Sequence, residues 1–227
     1  VLFRSTEENQ ELIVDVEEAV SKTEQYIEEN KNSLTIIVSV IVGIIAVYFG
    51  YTNLYITPME EEAQELIWKA EQYFEADSFN LALNGDGINY GFLSIADDYG
   101  ASKTGNLANY YAGICYYKLG QYQSAIDYLK SFNSTDKIVG PVATGAIGDA
   151  YMELGNISEA LSHYKAAANQ NDNNFTAPIY LMKAGFAAEE LGQNDDAIYF
   201  YRKIQTKYPS SSESRNIEKY LARLGAI

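Results

Sequence analysis

His163 and Cys115 are the side chains in this sequence best suited to proton transfer and nucleophilic attack, and each is the sole residue of its type. A thiol needs a base within hydrogen-bond reach and a third group to orient that base. His163 and Cys115 fall on different predicted helices, and no third group is apparent. Such a pair remains geometrically possible, but nothing in the sequence supports it. His163 reads as a solvated residue on a helix surface, and Cys115 as a small apolar residue inside one. One cysteine and one histidine provide no zinc-binding spacing. Asn84-Gly85-Asp86-Gly87 has a faint likeness to a calcium loop, without the alternating ligands or the distal glutamate of that motif. A helix break is expected there instead. Asp195-Asp196 is expected to cap a helix start, and Asn171 to Asn174 to form a loop. Together these residues predict no catalysis, no cofactor and no metal.

The elements that carry them belong to a well-packed chain. Hydrophobic residues make up 47% of the 227 positions and charged residues 21%, enough for a core and too apolar for wholesale disorder. The formal net charge of −15 repels phosphate backbones, so nucleic acid is excluded as a natural partner. Anionic lipid surfaces repel it too. A single cysteine allows no internal disulfide and leaves the redox compartment open.

From about Pro58 the chain repeats itself. GICYYKLGQYQSAIDYL begins at Gly113, GDAYMELGNISEALSHY at Gly148 and GFAAEELGQNDDAIYFY at Gly185. Gly120, Gly155 and Gly192 are spaced 35 and 37, and Ala125, Ala160 and Ala197 keep that spacing. Each unit reads as a helix ended by Leu-Gly, glycine supplying the left-handed cap. A second helix then presents its alanine for close packing. One unit cannot bury its apolar stripe alone, so units stack. The pattern resembles the tetratricopeptide repeat, whose unit is about 34 residues. Gly113, Tyr116, Gly120, Tyr122, Ala125 and Leu129 match in the first unit, and Gly148, Tyr151, Gly155, Ala160, Tyr164 and Ala167 in the second. Gly185, Gly192, Ala197, Tyr201 and Pro209 match in the third, where Ala188 replaces the usual tyrosine. A degenerate unit precedes them, with Ala70, Tyr73, Phe79 and Ala82 in pattern and Asp77 where glycine is expected. At the far end, Ser210 with Glu213 forms a candidate capping box, and Ile217, Tyr220, Leu221 and Leu224 stripe a final helix.

The resemblance implies an all-α helical-hairpin solenoid whose first helices line a concave groove. Carried onto this sequence, the lining is Tyr110, Ile114, Tyr117 and Lys118, then Asp149, Met152 and Glu153, then Met182, Phe186, Glu189 and Glu190. Aromatic, thioether and acidic groups dominate it, and the several Lys and Asn that would clamp an acidic peptide end are missing. Apolar or basic extended segments are the expected ligands.

Before the repeats, Leu34 to Ile56 is 23 residues without a charge, and about 20 suffice to cross a bilayer. Tyr48, Phe49, Tyr51 and Tyr55 crowd its C-terminal end, as an aromatic belt would. Ser39, Gly43, Ala46 and Gly50 share one helical face, suited to close packing on another span. Lys22 and Lys31 precede the span and Lys69 follows, which predicts a cytoplasmic N-terminus. Further upstream, Leu12, Val16, Ala19, Thr23 and Tyr26/Ile27 form an apolar stripe on an acidic helix, with Ser5 and Glu8 as a possible capping box. The expected layout is an acidic tail over 1–33, a span over 34–56, a degenerate repeat with an insertion over 57–105, three repeats over 106–209 and a cap over 210–227.

This order, together with DSFNLALNGDGINYGFLSIADDYG and NLANYYAGICYYKLG, resembles the ancillary single-span tetratricopeptide proteins of the bacterial Sec translocon, the YfgM-like class. The resemblance implies an inner-membrane protein with a periplasmic repeat domain. Its implied partners are Sec translocon subunits, a periplasmic chaperone and unfolded clients. A cytoplasm-facing signalling or receptor scaffold remains open, as does a homo-oligomeric envelope scaffold in which the small-residue face makes a homodimer.

Overall fold

The computed structural model describes the backbone of residues 4–226 and the side chains of residues 26–226. The stripe from Leu12 to Thr23 and the Ser5/Glu8 pair fall outside the described side chains. The chain divides into two compact units, Val1–Tyr55 and Ile56–Ile227.

The first unit is built on α1 (Arg4–Tyr51), so the boundary expected between tail and span falls inside one helix. A π-helical turn, Thr52–Ile56, follows α1 in sequence. The stretch through this region is long and apolar enough to cross a membrane, and none of its apolar window is buried. Hydroxyls within it donate back along the helix: Thr35 to the Lys31 carbonyl at 2.7 Å and Thr52 to the Tyr48 carbonyl at 2.6 Å. Closing such bonds internally is what a hydrocarbon setting demands. Ser39, Gly43 and Ala46 are exposed, and a Cβ placed on Gly43 or Gly50 meets nothing within 4 Å.

The second unit is a row of antiparallel helix pairs. It begins with α2 (Thr57–Glu75), α3 (Phe79–Asn84) and α4 (Phe92–Asp98). Three hairpins follow: α5 (Lys103–Lys118) with α6 (Tyr122–Ser131), α7 (Val139–Glu153) with α8 (Ile157–Gln170), and α9 (Ala177–Glu190) with α10 (Asn194–Lys207). A 3-10 turn over Glu213–Asn216 and α11 (Ile217–Arg223) end the described chain.

Each first helix stops in the same way. Gly120, Gly155 and Gly192 adopt φ of 74°, 74° and 72°. Their N–H groups donate to Tyr117, Met152 and Glu189, and the next N–H in each case reaches back to Tyr116, Tyr151 and Ala188. This paired closure needs a left-handed residue. Asp77 makes the same two bonds, from its own N–H to Phe74 and from Ser78 to Tyr73, at φ 52°. A side chain costs energy in that conformation and glycine does not. Asp77→Gly is therefore expected to stabilise the unit by about 0.5–1 kcal/mol, read as a higher urea midpoint. An unchanged midpoint would mean that the aspartate relieves the strain locally.

Between helices of a pair, glycine on the first helix faces a large side chain on the second. A Cβ on Gly113 would lie 2.6 Å from Leu129 Cγ, on Gly148 2.7 Å from Tyr164 Cε1, and on Gly185 2.2 Å from Tyr201 Cε1. The geometry shared by the three hairpins is thus a missing Cβ opposite a bulky partner. The core fills from both sides: Ile67, Phe92, Ile95 and Cys115 near the start, Ile126, Leu129 and Ile147 in the middle, Leu181, Tyr201, Ile204 and Leu221 near the end. In the degenerate unit the second helix is split into α3 and α4. Asp86 braces the break, accepting from the Ile88 and Asn89 N–H groups at 2.9 and 2.7 Å and from Tyr73 Oη at 2.7 Å. Those bonds hold its carboxyl well below the usual range. Asp86 is thus occupied as a turn anchor, and among the described residues no acidic, histidine and cysteine cluster of three is placed to hold a metal.

Two local expectations are corrected. Asp195 and Asp196 lie in the first turn of α10 and make no side-chain cap bond, so they act only through favourable placement against the helix dipole. The Ser210/Glu213 box does not form. Ser211 Oγ instead accepts from the Ser214 N–H at 3.2 Å, because the segment enters a 3-10 turn and not an α-helix.

Candidate protein-binding face

The first helices α5, α7 and α9 bring tyrosines to one side, around a charged pair. Asp149 on α7 accepts from Lys183 Nζ on α9 at 2.7 and 2.8 Å. It also accepts from Tyr164 Oη on α8 at 2.7 Å. Lys183 sits 5.7 Å from the Tyr164 ring centre and 5.8 Å from that of Tyr180, so two aromatic faces share its charge. Burial, then the Asp149 charge, pushes the phenols of Tyr164 and Tyr180 upward. Tyr117 on α5 is raised by burial and by the charges of Asp149 and Glu153. Tyr110 is raised by burial, and its ring lies 5.4 Å from Phe132. All four phenols therefore stay protonated; Tyr164 and Tyr180 are buried in the core beneath the face, and Tyr110 and Tyr117 are half-buried at its surface.

Of the residues expected in the groove, Tyr110, Tyr117 and Asp149 come together here with Tyr164, Tyr180 and Lys183. Ile114 is half-buried against the Ile126 and Ile147 core, and Met152 and Met182 pack half-buried on the Leu181 core. The others gather nearer the C-terminal cap. Phe186, 40% exposed, meets Tyr220 edge-on at 5.3 Å. Glu189 accepts from Tyr201 Oη and from Arg223 Nη2 on α11, the latter at 2.7 and 2.8 Å. Lys118, Glu153 and Glu190 are exposed. Two of the four expected acids, Asp149 and Glu189, are thus committed to neighbours within the fold.

Lys183, Tyr180 and Arg223 are additions to this face that the repeat pattern does not predict. A usable signal exists: Lys183 lies 34 positions after Asp149, and Arg223 34 after Glu189. Opposite charges one repeat apart on equivalent helices are placed to meet. Asp149→Ala leaves Lys183 and Tyr164 without their partner. With roughly a third of the pair exposed, a loss of about 1–2 kcal/mol is expected, read from denaturation midpoints. A loss below the error of the measurement would mean that solvent already screens the pair.

His163 also differs from expectation. It is half-buried and stacks on Tyr151 at 5.3 Å and 24°, and burial with nearby Lys130 lowers its pKa. It does not meet Cys115, which is fully buried and whose thiol burial pushes up to about 12. A thiol held in that form is a poor nucleophile.

The helix pairs, their repeated caps and their period match known sequence families. A tetratricopeptide-repeat profile matches residues 107–135, and another matches residues 146–212. The chain carries tetratricopeptide repeats. A search of curated proteins gave no match. The matched residues cover most of the α5–α6 repeat and the run from α7 into the turn after α10. Tetratricopeptide repeats are protein-interaction modules, which fits a face lined by phenols, thioethers and an ion pair.

Proposed function

We propose that this chain is a membrane-anchored adaptor whose repeats bind extended segments of other proteins. The observation that carries the reading is the tyrosine-lined first-helix face around Asp149 and Lys183, in a chain with a helix apolar enough to span a bilayer. The span lies in the inner membrane with its N-terminus in the cytoplasm. The repeats then face the periplasm, close to the Sec translocon. There they hold unfolded clients or a periplasmic chaperone through weak contacts. Tethering raises effective concentration, so weak contacts suffice. Glu153 and Glu190 remain exposed on the first helices and favour apolar or basic segments. Binding, not catalysis, is the activity.

The test is a mild-detergent pull-down of the intact protein, read by mass spectrometry. Translocon subunits and a periplasmic chaperone are the expected recoveries. Recovery of cytoplasmic proteins alone would reverse the orientation and favour a signalling or receptor scaffold.

The open face of Ser39, Gly43, Ala46 and Gly50 supports a second contact, with a partner span or with the same span of another copy in a homodimer. Replacing Gly43 and Gly50 by leucine is expected to weaken co-purification of the membrane partner at least several-fold, without moving the melting transition of the repeats. Equal recovery would remove the span from the interaction.

A further inference from the structure

Each of α5, α7 and α9 carries a stripe that packs on the hairpin before it. The stripe lies 16, 12, 9 and 5 positions ahead of the left-handed residue that closes the helix, a spacing that keeps four side chains on one face. In α5, closed by Gly120, it is Thr104, Ala108, Tyr111 and Cys115. Thr104 donates to Glu60 on α2 from its N–H and from its hydroxyl, at 2.9 Å each. Tyr111 stacks on Phe92 of α4 at 4.8 Å, and Ala108 and Cys115 are fully buried. In α7, Ala143 and Ala150 of the stripe are buried against Ile126 and Leu129 of α6. In α9, closed by Gly192, it is Thr176, Tyr180, Lys183 and Ala187; Lys183 pairs with Asp149 of α7, and the other three are buried.

The same count back from Asp77, which closes α2, gives Glu61, Glu65, Trp68 and Gln72. No hairpin precedes α2 within the second unit, and this face is open. Glu61 and Glu65 are exposed and Trp68 is 62% exposed, while Ala63, Ile67 and Ala70 on another face of α2 are buried. A solenoid end built only for water is polar. The indole departs from that rule. It belongs to the one tryptophan of the chain, a residue type that is mostly buried in folded proteins and enriched among the anchors of protein interfaces. Its neighbours along the stripe are acidic, and among the described residues neither Glu61 nor Glu65 has an ion-pair partner. Lys69, the one cation on α2, donates to Gln72 Oε1 at 3.2 Å and lies 5.1 Å from the Tyr73 ring centre. Residues three and four apart on a helix are neighbours, so the two carboxylates and the indole form one continuous strip. That strip is complementary to lysines or arginines flanking an apolar residue. The equivalent stripes of α5, α7 and α9 all pack on helices, so a helix is the shape that fits.

We propose that this face of α2 docks a basic amphipathic helix of a partner protein, which extends the row as a preceding hairpin would. An apolar residue of that helix covers Trp68, and its lysines or arginines pair with Glu61 and Glu65. The contact is separate from the first-helix face of α5, α7 and α9, and it does not depend on what that face binds.

Trp68 reports on its own burial, since no other tryptophan emits. The probes are a tryptophan-free helical peptide of about 18 residues, or five turns, with a leucine stripe flanked by lysines, a scrambled peptide of the same composition, and a version with glutamate for lysine. Each is titrated into the full chain in detergent and corrected for its partition into empty micelles. The amphipathic basic peptide is expected to move Trp68 emission saturably to the blue, with a dissociation constant at least tenfold below those of the other two. Glu61→Gln with Glu65→Gln keeps the reporter and is expected to weaken binding at least fivefold, with the fold intact by circular dichroism. Trp68→Ala, followed by the anisotropy of a labelled peptide, is expected to weaken it several-fold. Tyr117→Ser leaves the Trp68 response unchanged. Anisotropy that shows binding while Trp68 emission stays still would place the peptide elsewhere on the repeats and overturn the proposal. So would a scrambled peptide that binds as well, or no saturable shift up to millimolar peptide. A blue shift that grows with protein concentration alone would assign the face to a second copy of this chain and overturn it too.

Discussion

Gly185→Ala is expected to destabilise the repeats by about 2–3 kcal/mol, although alanine is the better helix former by about 1 kcal/mol. The two effects compete, and distance decides between them. The new Cβ would stand 2.2 Å from Tyr201 Cε1, far inside contact. Tyr201 cannot swing aside. It is fully buried, its hydroxyl is bonded to Glu189, and its ring is tilted against Tyr220 at 5.5 Å. Overpacking of a fixed ring therefore outweighs helix propensity. Chemical denaturation of Gly185→Ala beside Gly43→Ala provides the contrast, because nothing lies within 4 Å of a Cβ on Gly43. A Gly185→Ala midpoint at or above that of the unmodified protein would show that the ring relaxes freely, and the tight glycine–tyrosine packing would lose its meaning.

Replacing Tyr117, Met152 and Phe186 together by serine is expected to weaken binding of an unfolded client at least tenfold. Each lies on a different first helix, so the substitution removes apolar contact along the whole face. Interaction hot spots of this kind contribute about 1–2 kcal/mol apiece or more, and their effects are not additive. The readout is a client titration by fluorescence anisotropy, with circular dichroism as the check on folding. Phe186 also supports Tyr220, so some loss of stability accompanies the change. Tyr117→Phe separates the two roles, since it keeps the ring and removes only the hydroxyl. Full retention of affinity by the triple variant would move the binding surface elsewhere on the repeats.

The repeated Leu-Gly steps make the hairpins legible from the amino-acid sequence. Their period, their caps and even the irregular Asp77 follow from local backbone rules, and the fold realises all of them. Polar side chains are less legible. Asp149 and Glu189 read as free groove acids because their partners stand a full repeat away in sequence, where local pattern does not reach. His163 reads as solvated because its stacking partner, Tyr151, belongs to another helix.

Several cross-links between hairpins share one length scale. Asp149 to Lys183 and Glu189 to Arg223 both span 34 positions, and Asp172 reaches Lys207 and Tyr208 over 35 and 36. Each of these contacts is therefore completed when the next helices arrive, and not by a distant part of the chain. Contacts of such short reach let a polypeptide fold as it is threaded out, end first, at a low entropic barrier. A half-emerged chain would show one unfinished socket at its growing edge, with Asp149 waiting for Lys183 or Glu189 for Arg223. Pulled from either terminus, the row would yield hairpin by hairpin, like a zip, and close again in the same steps.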